Sequence, residues 1–140
     1  DLCLLGSSLG GYLCLLCAAR QPGVVLSLWA TPYELSEIAA NIPPEELKTL
    51  KNDFFSDARS YQLEPILGAV SRVQLIHGKK DTIVPWQHAE KIFSRVNHPK
   101  ELVFLPDGDH SLTGFQERGT AIRRSLAWFL QNIQGESQCR

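Results

Sequence analysis

A serine framed by glycines directly after a short apolar run is the feature that most limits what this chain can fold into. The opening residues are Asp1-Leu2-Cys3-Leu4-Leu5-Gly6-Ser7-Ser8-Leu9-Gly10-Gly11-Tyr12. They read as a strand, a tight turn and the start of a helix. The spacing Gly6-x-Ser8-x-Gly10 sets one serine between two residues that lack a Cβ. A sharp strand-to-helix turn needs that pattern, because the serine takes a strained backbone conformation and neighbouring chain passes close by. Ser7 is framed by Leu5 and Leu9 instead, so Ser8 is the candidate. A phosphate-binding loop would require Lys where Tyr12 stands, and the glycines do not fall in the Gly-x-Gly-x-x-Gly order of a dinucleotide site. Two readings stay open at this point: a turn that presents a nucleophile, or a plain glycine-rich turn.

The chain has 140 residues, enough for one domain with a real core. It is 44% hydrophobic and 21% charged with a formal net charge of -1, a balance with no basic face for nucleic acid and no acidic tail. No run approaches the ~20 apolar residues needed to span a membrane. The sequence is already strand-like at Asp1 and contains no Met, which we read as a start inside a fold, so the lack of a leader carries no message about address. Four cysteines occur, Cys3, Cys14, Cys17 and Cys139. Cys14-x-x-Cys17 has no second pair to complete a zinc site, and buried free thiols are the expectation. That fits a reducing compartment, and the cytoplasm is the expected location.

Along the chain, Leu9 to Arg20 is apolar nearly all round, as in a helix packed on a sheet, and Gln21-Pro22-Gly23 stops it. Val24 to Trp29 is a continuous apolar run, the mark of a strand buried on both faces. Residues 33–62 are irregular and read either as a lid-like insertion or as a pair of packing helices. Within them, Pro43-Pro44 followed by Glu45-Glu46 looks like a helix start. Val73 to His77 and Glu101 to Leu105 are further strands, and Trp86 to Val96 carries a helical apolar stripe. The last helix is expected to turn Ile122, Leu126, Phe129, Leu130 and Ile133 inward and to end at Gly135, leaving a polar tail over 135–140. Strands alternating with helices imply an α/β architecture, a parallel sheet with helices on both faces.

In such sheets, sites form beyond the carboxyl ends of the strands. Ser8 follows the first strand, Gly78-Lys79-Lys80-Asp81 the third and Pro106-Asp107-Gly108-Asp109-His110 the fourth. A hydroxyl, a carboxylate and an imidazole therefore share one rim. A serine hydroxyl needs an adjacent base with a pKa near working pH, and a carboxylate to orient that base. Asp107 and Asp109 compete with Asp81 for the orienting role, but both sit in a tight turn beside His110 and would have to reach back past their own backbone. His77 reads as a structural strand-end residue, and His88 and His98 as solvated.

Gly6-x-Ser8-x-Gly10-Gly11, His77-Gly78-x-x-Asp81-x-x-Val84-Pro85 and Gly108-Asp109-His110 together resemble the α/β-hydrolase superfamily in its Ser, Asp, His order. The likeness covers the whole chain as a single partial domain, the second half of that fold, and its short insertion resembles the small carboxylesterases, including the feruloyl-esterase-like branch. The resemblance implies Ser8 as nucleophile, Asp81 as orienting acid, His110 as base and the Leu9 N–H as one oxyanion-hole donor. It implies no metal and no organic cofactor. The second oxyanion donor comes from an earlier loop in that family, so this chain alone is expected to be poorly active or inactive. Trp29, Phe54, Phe55, Tyr61 and Trp86 are candidates for lining a substrate pocket. The expected activity is hydrolysis of a small-molecule carboxylic ester. The alternatives are a peptidase or thioesterase with the same triad, and a non-catalytic binding module.

Overall fold

The computed structural model describes residues 2–49 and 53–133, with Phe55 described by its backbone alone. Asp1, Gly135, Cys139 and the tail expected over 135–140 lie outside the described residues. Four strands form one sheet: β1 (Leu2–Ser7), β2 (Val24–Trp29), β3 (Val73–Gly78) and β4 (Lys100–Leu105). They pair in chain order and all run parallel. The register matches Gly6 with Leu28, Trp29 with Ile76 and Gly78 with Leu105, so the four carboxyl ends make one rim. Strands β2 and β3, the two inner strands, are buried along nearly their whole length, as a parallel sheet covered on both faces requires.

Helix α1 (Leu9–Ala18) joins β1 to β2. Between β2 and β3 come α2 (Leu35–Ile38), α3 (Pro44–Leu47) and α4 (Phe54–Ala58). Helix α5 (Gln87–Arg95) joins β3 to β4, and α6 (Phe115–Asn132) closes the described chain. On one face of the sheet, Leu26, Leu28, Val73 and Leu75 pack with Tyr12 and Leu15 of α1 and with Ala89 and Ile92 of α5. On the other face, Ile76 and Leu105 meet Ala121 of α6. Helices therefore cover both faces, as the alternation of elements implies.

The inner face of α6 differs from the expectation. Leu126 is 58% exposed and Leu130 70% exposed, with Ile122 and Ile133 also exposed, whereas Ala121, Ser125 and Trp128 are buried. The cause is polar. β2 and β3 turn Ser27 and Gln74 toward α6, both fully buried, and buried polar groups must find partners. Ser125 Oγ lies 2.7 Å from Ser27 Oγ and accepts the Trp29 indole N–H at 3.0 Å. Ser27 also donates to Gln74 Oε1 at 2.8 Å. This network turns Ser125 inward and leaves the apolar stripe beside it outside. The thiols differ from the expectation too: Cys3 and Cys14 are partly buried, but Cys17 is exposed.

Candidate active site

Ser8 stands between β1 and α1 with φ 52° and ψ -122°, a left-handed conformation that a residue with a Cβ adopts only when its surroundings impose it. The turn is tight on the strand side. A Cβ on Gly6 would lie 2.6 Å from the Gly10 carbonyl oxygen and 2.7 Å from the Gly11 Cα. A Cβ on Gly11 would run into the Thr31 side chain, whereas one on Gly10 would meet nothing within 4 Å. The second crowded glycine is thus Gly11 rather than Gly10, because Gly10 touches Gly6 through its carbonyl and not through its Cα hydrogens. The Ser8 N–H donates to the Trp29 carbonyl at 2.8 Å, tying the turn to the end of β2. Leu9 begins α1, and the first N–H groups of a helix have no intrahelical acceptor.

The other two side chains come from loops that touch through glycines. A Cβ on Gly78 would collide with the Gly108 carbonyl. With none present, the Lys80 N–H donates to that carbonyl at 2.9 Å, and the loops after β3 and β4 are joined. Asp81 and His110 then meet, with His110 Nδ1 2.8 Å from Asp81 Oδ2. On the opposite side of the ring, His110 Nε2 lies 3.1 Å from Ser8 Oγ. A carboxylate only accepts, so Nδ1 carries the ring proton toward Asp81 and Nε2 is left to accept the serine O–H.

The Asp81 carboxylate is wholly buried. Its Oδ1 accepts the Ile83 N–H at 2.9 Å and the Val84 N–H at 2.8 Å. Burial alone would push this carboxyl up. Hydrogen bonds from His110, His77 and the Val84 N–H outweigh it and hold the group well below the usual carboxylate range. The rival acids are engaged elsewhere. Asp107 pairs with Lys80 at 2.6 Å, and Asp109 takes the Thr113 N–H at 2.8 Å together with the Thr113 hydroxyl.

Ser8 and His110 open onto a cavity of about 330 Å³. Its apolar walls are Leu9, Leu35, Ile38, Ile42, Phe54 and Ile83, with the exposed Glu45, Glu46 and Thr49 alongside. Of the expected aromatic lining, Phe54 is present. Tyr61 borders a neighbouring cavity of about 190 Å³ that shares Leu9, Leu35 and Phe54 with the first. Trp29 and Trp86 line neither: Trp29 is held under α6 by Ser125, and Trp86 stacks edge-on to Phe104 with the Lys79 ammonium 3.2 Å from its ring centre. The Phe55 side chain lies outside the described residues. The walls are mainly aliphatic, and the signal for them was the apolar spacing of Leu35, Ile38 and Ile42 in the insertion.

His88 stands differently from its sequence reading, whereas His77, read as structural, is buried against the Val84 carbonyl. His88 is 3% exposed rather than solvated, accepting the Tyr33 N–H on Nδ1 at 3.0 Å and facing Glu37 from Nε2 at 3.3 Å. His77 also lies 3.3 Å from Asp81 Oδ2. The His-x-x-x-Asp spacing of residues 77 and 81 was the signal. Among the described residues no cluster of His, Cys, Asp and Glu could hold a metal ion, and no helix is long and apolar enough to cross a membrane.

Known proteins resemble this chain in sequence and in fold. The chain is 34% identical over 143 aligned positions to the uncharacterized protein YfhR of Salmonella typhimurium, covering 93% of this chain and 47% of that protein. It is 27% identical over 134 positions to the mouse mitochondrial palmitoyl-protein thioesterase ABHD10, covering 78% of this chain and 45% of that one. The chain thus spans about half the length of these relatives. Among solved structures, an esterase domain from a Rhodothermus marinus protein superposes with a TM-score of 0.80 at 21% identity, over 96% of this chain and 62% of that one. The mouse ABHD10 structure superposes with a TM-score of 0.74 at 25% identity, over 94% of this chain and 62% of that one. The α/β-hydrolase fold is therefore shown, and with residues 1–136 matching the family as a whole, this chain belongs to the prolyl oligopeptidase family.

Proposed function

We propose that this chain carries the nucleophile, base and acid of a serine hydrolase that cleaves carboxylic esters through an acyl-enzyme. The observation that carries the reading is the line of contacts from Ser8 Oγ through the His110 ring to the buried Asp81 carboxylate. His110 takes the serine proton as Oγ attacks the carbonyl carbon, then delivers it to the leaving alcohol as the ester C–O bond breaks. Water adds to the acyl-enzyme with the same base, releasing the acid and restoring Ser8. Asp81 holds the ring in the tautomer this requires. The Leu9 N–H, at the positive end of α1, is the proposed donor to the oxyanion. A second donor from a preceding part of a longer protein would complete that hole.

The aliphatic walls around Ser8 favour an apolar acyl group on a small-molecule ester. The same walls favour a second reading, an acyl thioester, in keeping with the activity named for the mouse relative. Peptide bond cleavage is the third, in keeping with the family. Free thiols at Cys3, Cys14 and Cys17 support a reducing, cytoplasmic setting.

A panel of aryl esters, acyl thioesters and aminoacyl amides, run on the full-length protein, tests this reading. Turnover of esters that Ser8→Ala abolishes is the expected result. Preference for thioesters or amides moves the assignment to the second or third reading, and turnover unaffected by Ser8→Ala overturns all three. A binding module would show none.

A further inference from the structure

Asp81 sits between two imidazoles, and the triad uses only one of them. His77 Nε2 lies 2.8 Å from the Val84 carbonyl oxygen and 3.3 Å from Asp81 Oδ2, the oxygen that also faces His110 Nδ1. The Val84 carbonyl only accepts, so His77 Nε2 carries a proton. The His77 side chain is 1% exposed and that of Asp81 is fully covered, so both groups depend on partners within the protein. We infer that His77 is a positioning residue for the orienting acid. Its Nε2–H anchors the Val84 end of the loop whose N–H groups hold Oδ1, and turns part of the Oδ2 charge away from His110. This rests on the proposed triad.

Ile83 and Val84 present their N–H groups to Oδ1 only while the chain doubles back after Asp81, and the His77 contact with the Val84 carbonyl pins that reversal to the end of β3. At Oδ2 the effect is one of charge. An N–H so near a carboxylate oxygen stabilises the anion whether or not His110 is protonated, and so reduces what protonated His110 gains from Asp81. The ionisable groups packed around this pair are Asp81 itself, His110 from the loop after β4, Asp109 beside it, and His88 on α5 with its partner Glu37 on α2.

The test compares wild type, His77→Leu and His77→Gln in the full-length protein. Gln can place an amide N–H near the Nε2 position, and Leu cannot. In His77→Leu, kcat should fall about tenfold or more with KM little changed, as misplacement of a catalytic group does. The acid limb of the pH–rate profile should move to higher pH by about half a unit, the scale of one hydrogen bond. His77→Gln should recover most of both. Equal losses in the two variants with an unmoved acid limb, or no effect in either, would overturn the inference. Should His77→Leu not fold, long-range ¹⁵N–¹H correlation spectra of the wild type decide: a proton on His77 Nε2 supports the role, and a bare Nε2 overturns it. That spectrum needs no turnover, so a failed ester assay with a protonated Nε2 would count against the proposed activity and not against the His77 contact.

Discussion

Gly78 and Gly108 stand backbone to backbone, and that contact brings the acid to the base. A Cβ on Gly108 would lie 3.0 Å from the Gly78 Cα, and one on Gly78 would collide with the Gly108 carbonyl. Asp81 and His110 follow these glycines by three and two residues, so the spacing between two loops sets their 2.8 Å contact.

Gly78→Ala should therefore damage the site through the backbone. Overpacking at such a contact costs about 1–3 kcal/mol, and the displaced loops should pull Asp81 away from His110. A denaturant melt of the variant should show the loss of stability. Reactivity of Ser8 should fall further than that loss explains.

The buried network under α6 makes a contrast between adjacent residues. Ser125→Ala leaves Ser27 and the Trp29 indole short of a partner, which should cost about 1–3 kcal/mol. Leu126→Gln, on the exposed stripe, should change stability by no more than about 0.5 kcal/mol. Chemical denaturation of both variants checks this, and the reverse order would restore the face that apolar spacing favours.

That spacing is where the sequence was least legible. Elements with one kind of signal were readable: the continuous apolar run of β2, the Gly-x-Ser-x-Gly turn, and the Asp81 and His110 loops beyond strand ends. What was not readable depended on partners distant in the chain. Apolar periodicity placed Leu126 inside because it takes no account of Ser27 and Gln74, the buried polar residues that claim Ser125. His88 looked solvated because its neighbours in sequence are polar, whereas its actual partner is the Tyr33 N–H, 55 residues away. The cavity walls were sought among aromatics, yet Trp29 and Trp86 serve packing, and aliphatic residues of α2 line the space beside Ser8.

Phe54 belongs to the walls of both the cavity at Ser8 and its smaller neighbour. Phe54→Ala should join the two spaces and shift preference toward longer acyl chains. The ratio of kcat/KM for a long against a short aryl ester should rise by about tenfold or more, within the usual reach of hydrophobic pocket changes.

Stability should fall with acid in two separate windows. Burial lowers the pKa of His88 from 6.5, against the opposing pull of Glu37. The unfolded chain therefore takes up this proton first, and stability present above about pH 6.5 declines as pH drops below it. Protonation of Nδ1 would also end its acceptance of the Tyr33 N–H. Asp81 is likewise lowered from 3.8, so its contribution is intact above that value and lost below it. Denaturation midpoints measured from pH 8 to pH 3 should show both declines. His88→Asn, which keeps an acceptor for Tyr33 without titrating, should remove the upper one.

Ser8 must be the one serine made nucleophilic by its neighbours if the proposed chemistry holds. Fluorophosphonate labelling of the full-length protein, with the adduct located by peptide mass spectrometry, measures that directly. The expected result is a single adduct on Ser8 that forms more slowly in acid and is missing in His110→Ala. An adduct on another serine, or labelling of Ser8 that ignores both pH and the loss of His110, would contradict it.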